Sequence, residues 1–403
     1  MTLTSSDIIA LADKHLLQNL NRLPLVMAKG RGAKLWDLEG REYLDFVAGI
    51  AVCAFGHCPP FATEVLSRQA DTLWHVSNLY YNEPMVRLAE TLTKAAGLDR
   101  AFFCNSGAEA NEAAIKMARK FSRDNYGENR FTIVSALGSF HGRTMGAVSA
   151  TGQAKLHEGF QPMLPGFKFA PYGDFEALRE TADQSVCAVL LETIQGEGGV
   201  VTPPEGYFKK VADFCAANKI LLILDEIQCG LGRTGYPFAY QREGITPDIV
   251  TLGKALGCGY PVGATIAKEA PASALTPGSH STTIGGAPLA MALSLELVTR
   301  ILDPAFISGV KERGRRLKSG LEAVKQDHPD LVAEVRGQGL LAALALKIPA
   351  AEIAEALRAE GMLVVPTAGT ALRLVPPLNV DFEEIDALIA ALGRVLAAKS
   401  RKG

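Results

Sequence analysis

Lys254 is the one charged residue between Asp248 and Lys268, and it sits in the segment Leu252-Gly253-Lys254-Ala255-Leu256-Gly257. An amine stranded among apolar residues and glycines loses the hydration that favours its charged form. Its pKa falls, and the neutral amine is a nucleophile suited to a Schiff base with a carbonyl compound. Upstream, the branched apolar run Ile220 to Leu224 predicts a buried parallel strand, and it ends on Asp225. A lysine for an aldehyde and an acid for a pyridinium nitrogen are the pair that pyridoxal phosphate (PLP) requires. On spacing alone a structural alternative stands beside this one: Lys254 snorkels to the surface, or pairs with Asp225 as a buried ion pair.

Four further loops carry groups of the right kind. Cys104-Asn105-Ser106-Gly107-Ala108-Glu109-Ala110 follows a short apolar run and opens a helical pattern with Ala110, Ala114, Met117, Ala118 and Phe121. A strand, a Ser-Gly turn and a helix N-terminus make an anion site, although Ser106 is equally suited to plain capping. In Gly138-Ser139-Phe140-His141-Gly142-Arg143-Thr144, Phe140 could stack on an aromatic ring and Arg143 could grip a carboxylate. Glu192 and Glu197 flank a glycine-rich turn after the run Val186 to Leu191, where open α/β sheets place ligands. The loop Pro277 to Gly286 offers hydroxyls, Thr282 and Thr283 among them, and Arg373 stands alone between apolar neighbours.

The pattern that must position these groups is an alternation of short apolar runs with helical segments. Helices are expected from Ser5–Asp7 to about Asn19, at about 61–75 and 84–96, and from Pro203-Pro204 back to Ile220. A hairpin is expected around Glu39-Gly40, and a long helical region from Pro288 to Lys325 breaks near Asp303-Pro304. Strands near 331–335, 339–346, 362–365 and 371–375 alternate with helices at about 350–360 and 381–398, as in a small α/β domain. Residues 230–235, Gly-Leu-Gly-Arg-Thr-Gly, match a dinucleotide fingerprint. The fingerprint needs its glycines directly after the strand and opening a helix; here Asp225 to Cys229 intervene and Tyr236-Pro237 follows, so the segment reads as a loop.

The 403 residues suffice for a main core and a smaller second one. A chain with 48% hydrophobic and 21% charged residues is an ordinary globular one, and a net charge of −2 gives no general attraction to nucleic acid or anionic membrane. Seven cysteines without regular spacing read as reduced thiols of a cytoplasmic protein. Cys53 and Cys58 flank His57, but no second cluster completes a metal site. The apolar window Ile249 to Ala267 carries Lys254, four glycines and Pro261, which argue against a membrane span.

Taken together, the motifs resemble the class III (ornithine-type) PLP-dependent aminotransferases of fold type I. LWDLEGREYLDF, CNSGAEA, FHGRT, QGEGG, DEIQCGLGRTG, TLGKALGCGYPVG, the STTIGG loop and LRLVPPL occur in the family's order across nearly the whole chain. The resemblance implies an α/β fold, with residues 51–300 as a large PLP-binding domain on a mostly parallel sheet. Residues 301–403 would be the small domain, joined by the N-terminal segment 1–50. Lys254 would bond the cofactor aldehyde and shuttle the proton, while Asp225 holds the ring nitrogen. Gln228 would face the phenolic oxygen, with Ile227 and Phe140 on opposite ring faces. Ser106, Gly107 and Ala108 would bind phosphate together with Thr283 of a partner subunit in a homodimer with shared sites.

On the substrate side the resemblance implies that Arg143 holds the carboxylate of an ω-amino substrate and that Arg373 holds the α-carboxylate of glutamate. Glu197 would mask Arg373 when the other substrate is bound, and Thr282 joins the substrate-binding set. The implied reaction passes the terminal amine of N-acetylornithine to 2-oxoglutarate, a step of arginine biosynthesis. Succinylornithine, ornithine and 4-aminobutyrate are the nearest alternatives, and a nicotinamide-dependent dehydrogenase is the alternative of another class. Leu20 departs from a family tyrosine used in substrate recognition, and Cys53, Thr193 and Ala287 depart from the pattern away from the proposed chemistry. Ile50 occupies a position where ornithine δ-aminotransferases have tyrosine, which favours the acetylated substrate.

Overall fold

A computed structural model describes residues 3–401. Near the N-terminus, β1 (Met27–Arg31), β2 (Lys34–Asp37) and β3 (Glu42–Asp45) form an antiparallel meander. The expected hairpin joins β2 and β3, and its Gly40 adopts a φ of 84°, which a side chain disfavours.

Seven strands then build the central sheet: β4 (Arg100–Cys104), β5 (Thr132–Ala136), β6 (Phe167–Ala170), β7 (Val186–Glu192), β8 (Leu221–Asp225), β9 (Ile249–Leu252) and β10 (Gly263–Ala267). Their order is β4-β10-β9-β8-β7-β5-β6; β10 runs antiparallel to both neighbours, and the remaining pairs are parallel. Every residue of β7 and β8 is buried, as continuous apolar runs covered on both faces should be. Because β5, β7, β8 and β9 run in one direction, their C-terminal ends share one edge. Glu192 therefore stands opposite Asp225, and Asp225 opposite Thr251, with Lys254 just past the end of β9. The apolar periodicity did not single out β6 and β10, which are short and, in β10, interrupted by small residues.

The C-terminal sheet holds β11 (Val332–Gln338), β12 (Leu341–Leu346), β14 (Val365–Thr367) and β15 (Ala371–Leu374) in the order β11-β12-β15-β14, all antiparallel. The single strand expected at 362–365 is in fact two. β13 (Met362–Leu363) leaves this sheet and pairs in parallel with β3, while β14 stays. Arg373 consequently lies in an interior strand and is not edge-exposed.

Helices follow the pattern with two corrections. The N-terminal helix spans Ser5–His15, shorter than expected, and it is Thr4 that caps it, through a capping box with Asp7. The helix leading to β8 starts at Tyr207, after Gly206 at a φ of 76°, and not at Pro203-Pro204. A residue before proline is pushed out of the helical region, so Pro203 cannot open it. The break at 303–304 is as expected: Pro288–Ile301 ends, and Asp303 caps Pro304–Asp327 by accepting from the Ala305 N–H at 2.7 Å.

The segment 230–235 opens no helix, and its Gly232 and Gly235 both take left-handed φ values. Its Arg233, 1% exposed, donates to the carbonyls of Leu340 (3.1 Å) and Pro376 (2.5 Å), fastening this loop to the C-terminal sheet. No helix among the described residues is long and apolar enough to cross a membrane. Leu224 is fully buried beside Asp225. Leu224→Ala is expected to cost about 2–5 kcal/mol of unfolding free energy, measured by denaturant titration, through lost burial and the cavity left behind.

Candidate active site

Asp225 is buried at the end of β8 and receives three donors: Asn111 Nδ2 at 2.8 Å, His141 Nδ1 at 2.8 Å and its own loop's Ile227 N–H at 3.0 Å. Because a carboxylate only accepts, His141 Nδ1 carries the proton, and its Nε2 faces Ser135 Oγ at 3.1 Å. Asn111 is oriented in turn by Thr251 Oγ1, which donates to its Oδ1 at 2.8 Å. Asp225 makes no ion pair with Lys254, so the structural alternative of a Lys254–Asp225 bridge fails.

Lys254 lies past β9 at the head of a short 3₁₀ turn, with a φ of 43° that a side chain rarely adopts. Such strain concentrates where a side chain must be aimed. Burial pushes the Lys254 amine below its ordinary value, with Arg373 adding to that and Glu197, Asp225 and Glu192 opposing it. Lys254 and Asp225 line one cavity of 280 Å³ with Gly107, Ala108, Phe140, Arg143, Glu197, Ile227 and Gln228.

Gly107 and Ala108 head the 20-residue helix Gly107–Tyr126, whose cap, Ser106, accepts from the Glu109 N–H at 3.2 Å. A Cβ on Gly107 would come within 2.7 Å of Ile227 Cδ1, so glycine lets the helix start press directly on the isoleucine. Phe140, across the cavity, is held by its N–H to Glu192 Oε2 at 3.1 Å. Arg143 is exposed at the rim, its guanidinium 5.4 Å from the Phe140 ring centre.

Arg373 on β15, 1% exposed, lies behind two residues that line this cavity, donating to Glu197 Oε1 at 2.6 Å and Gln228 Oε1 at 3.1 Å. Burial acts to raise the Glu197 carboxyl, but Arg373, Lys254 and Gln228 outweigh it and hold it below its ordinary value. Gln228 thus turns its amide oxygen to Arg373. The Arg373 Nε is buried without a partner, a donor aimed at nothing the protein supplies.

The two threonines lie off the cavity within one chain. Thr282 Oγ1 accepts from Asn105 Nδ2 at 3.3 Å, and Thr283 is exposed. Leu20 and Ile50 are also exposed, at 60% and 40%. His141, Asn111 and Thr251 were not singled out as site residues in the sequence. Their signal is topological: each becomes visible as a neighbour of Asp225 only once β5, β8, β9 and the helix from Gly107 are assembled.

The residues fit PLP: free N–H groups at a helix start, the apolar side chains of Ile227 and Phe140, a hydrogen-bonded carboxylate and a desolvated amine surround one cavity. That geometry defines a PLP-dependent enzyme of fold type I, and the profile of the family Aminotransferase class-III matches residues 17–396. The chain belongs to the class-III aminotransferases, which are PLP enzymes. It is 46% identical over 385 residues to an acetylornithine aminotransferase of Caldanaerobacter subterraneus subsp. tengcongensis, covering 95% of this chain and 98% of that one. Among solved structures it is similar to the ornithine aminotransferase of Toxoplasma gondii, with a TM-score of 0.95, 33% identity, and coverage of 100% of this chain and 97% of that one. It is also similar to an acetylornithine aminotransferase of Elizabethkingia anophelis, with a TM-score of 0.88, 33% identity, and coverage of 98% and 100%.

Glu192, buried beneath this site and close to Asp225, is pushed up to about 7, mainly by burial and then by Asp225. A carboxyl whose folded pKa is raised stabilises the fold while protonated, and that contribution is lost as pH rises from its unfolded value near 4.5 through about 7. The melting temperature of the native enzyme, relative to Glu192→Gln, is therefore expected to fall between pH 5 and pH 8 in calorimetric scans.

Proposed function

We propose that this chain transfers the terminal amine of N-acetylornithine to 2-oxoglutarate, giving N-acetylglutamate 5-semialdehyde and glutamate. The observation that carries the reading is the Arg373–Glu197 pair, in which Glu197 lines the cavity that also holds Lys254 and Asp225 and covers the arginine behind it. A site that binds glutamate and an ω-amine in turn must offer a cation to one α-carboxylate and hide it from the other substrate. An acid on a turn, able to swing off a buried arginine, does that.

Ser106, Gly107 and Ala108 would hold the cofactor phosphate at the helix start, Ile227 and Phe140 its ring, Asp225 its ring nitrogen and Gln228 its phenolic oxygen. When bound, the cofactor supplies an electron sink at the carbon that carries the amino group. Lys254 Nζ, its pKa lowered by burial, would first hold the cofactor and then accept and return the substrate proton. His141 and Asn111 keep the Asp225 carboxylate from rotating. Arg143, exposed at the rim beside Phe140, would take the carboxylate farther from the reacting amine, and Arg373 the α-carboxylate of glutamate. Thr282 would contribute to the substrate pocket.

Thr283 supports a second element of the proposal, a cytoplasmic homodimer. It is exposed and does not line its own chain's cavity, as befits a residue completing a partner's phosphate site. Leu79, Tyr80 and Tyr81 form an apolar stretch that is 67–92% exposed in one chain, and Ile284, next to Thr283, is 57% exposed. The division into a large domain at 51–300 and a small one at 301–403 plus 1–50 has support in β13, which carries the C-terminal region onto the N-terminal sheet.

A panel of amine donors, read by loss of the bound cofactor's visible absorbance, tests the substrate. N-acetylornithine is expected to react faster than ornithine, succinylornithine or 4-aminobutyrate, and no reaction with it would refute the assignment. In single-turnover measurements, Glu197→Gln is expected to leave the glutamate half-reaction near its native rate. The same change should slow the N-acetylornithine half-reaction by about tenfold or more, because Arg373 is then no longer masked.

A further inference from the structure

A second cavity, of 890 Å³, lies between the helix Pro304–Asp327 and β11. Lys311, Arg315 and Lys318 line one wall. Their spacing of four and three residues puts them on one helical face, and Gly314 on that face lets the helix settle against Gly339. Arg336 on β11 and Arg242, which lies 3.9 Å from Glu243, bring the lining cations to five, against a single lining acid, Glu334. The whole chain carries a net charge of −2, so this concentration is local and is not a by-product of a basic protein.

The three helix cations are left without acid partners. Among the described residues none of them has a carboxylate within 4 Å; Lys311 rests on the Tyr236 ring at 4.2 Å instead. Elsewhere on the same helix the ordinary arrangement holds, with Arg316 paired to Asp386 and Lys325 to Glu322. Lys311, Arg315 and Lys318 are exposed, so water screens part of their mutual repulsion, but like charges at these spacings destabilise a helix and their fields add on one concave wall. The cost is removed by a counter-charge, and a cavity of this size accepts a small molecule.

We propose that this cleft binds a small multivalent anion of the phosphate or polycarboxylate kind, and that its occupancy is read at the Glu197 turn. Val201 and Thr202, which line the cleft, follow that turn directly, and Gln195 and Val201 bridge its base with N–H···O distances of 3.0 and 3.1 Å. On its far side, Arg336 Nη1 lies 3.5 Å from the point a Cβ would take on Gly199, and Arg336 is itself held by Glu334 at 2.6 Å. An anion that draws Arg336 from Glu334 changes the packing behind Glu197. Coupling of this kind is reciprocal, so bound substrate alters the anion's affinity by the same factor. The binding half stands on the cleft alone; the coupling half rests on the role given to Glu197 above.

The test is calorimetric titration of the PLP-loaded enzyme with pyrophosphate and, separately, with citrate at low ionic strength, native against R315Q/K318Q. Saturable binding to the native protein is expected with at least one of them, weakened about tenfold or more in the variant, the loss of one charge-assisted contact or more. The variant's melting temperature and its turnover without added anion should be unchanged. Binding of pyrophosphate only, or of citrate only, assigns the anion to phosphates or to polycarboxylates. Absence of saturable binding, or equal binding by both proteins, overturns the site. The KM for the amino donor is then measured with and without saturating anion: a shift in the native enzyme that the variant lacks supports the coupling, and a KM unmoved despite binding overturns it.

Discussion

A carboxylate buried at the end of a central strand has to be satisfied by hydrogen-bond donors if no lysine or arginine reaches it. Asp225 meets that constraint with one imidazole N–H, one amide N–H and one backbone N–H. Each donor comes from a different piece of the fold: the loop after β5, the helix from Gly107, and the turn after β8. Thr251 on β9 and Ser135 on β5 extend the network by one bond in each direction. The parallel run of these strands is what makes the convergence possible, since it brings their C-terminal ends to one edge. Lys254 is thereby left unpaired with Asp225 and available for covalent chemistry.

The opposite wall uses charge in a different way. Arg373 is buried in an interior strand, and its partner Glu197 sits on a turn that connects two structured regions. The arginine is anchored by the sheet, by Gln228 and, through Arg233 and the Pro376 carbonyl, by the loop that follows β8. The acid is anchored chiefly by the arginine itself and by its own carbonyl, which accepts from Thr367 Oγ1 at 2.8 Å. Removing Glu197 leaves Arg373 buried without its counter-ion, which explains why the pair belongs together. A rigid cation and a looser anion form an asymmetric couple, and only the second can move without disturbing the sheet.

Much of this was legible in the chain before any coordinates. The buried strand ending on Asp225, the isolated Lys254, the helix start after Ser106 and the lone Arg373 follow from apolar runs, glycine placement and charge isolation. The loop character of 230–235 followed from Tyr236-Pro237. What could not be read was whatever depends on the assembled sheet: that His141 and Asn111 meet Asp225, that β10 inserts antiparallel between β4 and β9, and that Arg233 is a structural clamp. The split of 362–367 into two strands serving two sheets was hidden for the same reason. Local periodicity reports which face of a strand is apolar, not which neighbour it will find. The start of the helix at Tyr207, displaced from Pro203-Pro204, was a misjudged local rule.

The parallel pairing of β13 with β3 sets the order of events during synthesis. Met362 and Leu363 must leave the ribosome before the sheet begun at residue 27 acquires its last strand. Until then Leu44 and Phe46 lack the Gly361 and Leu363 carbonyls that accept from their N–H groups at 2.8 and 2.9 Å. A long-range closure of this kind is slow and leaves an open sheet edge exposed for most of translation. The C-terminal region of the chain thus supplies the strand that closes the edge opened by its N-terminal region.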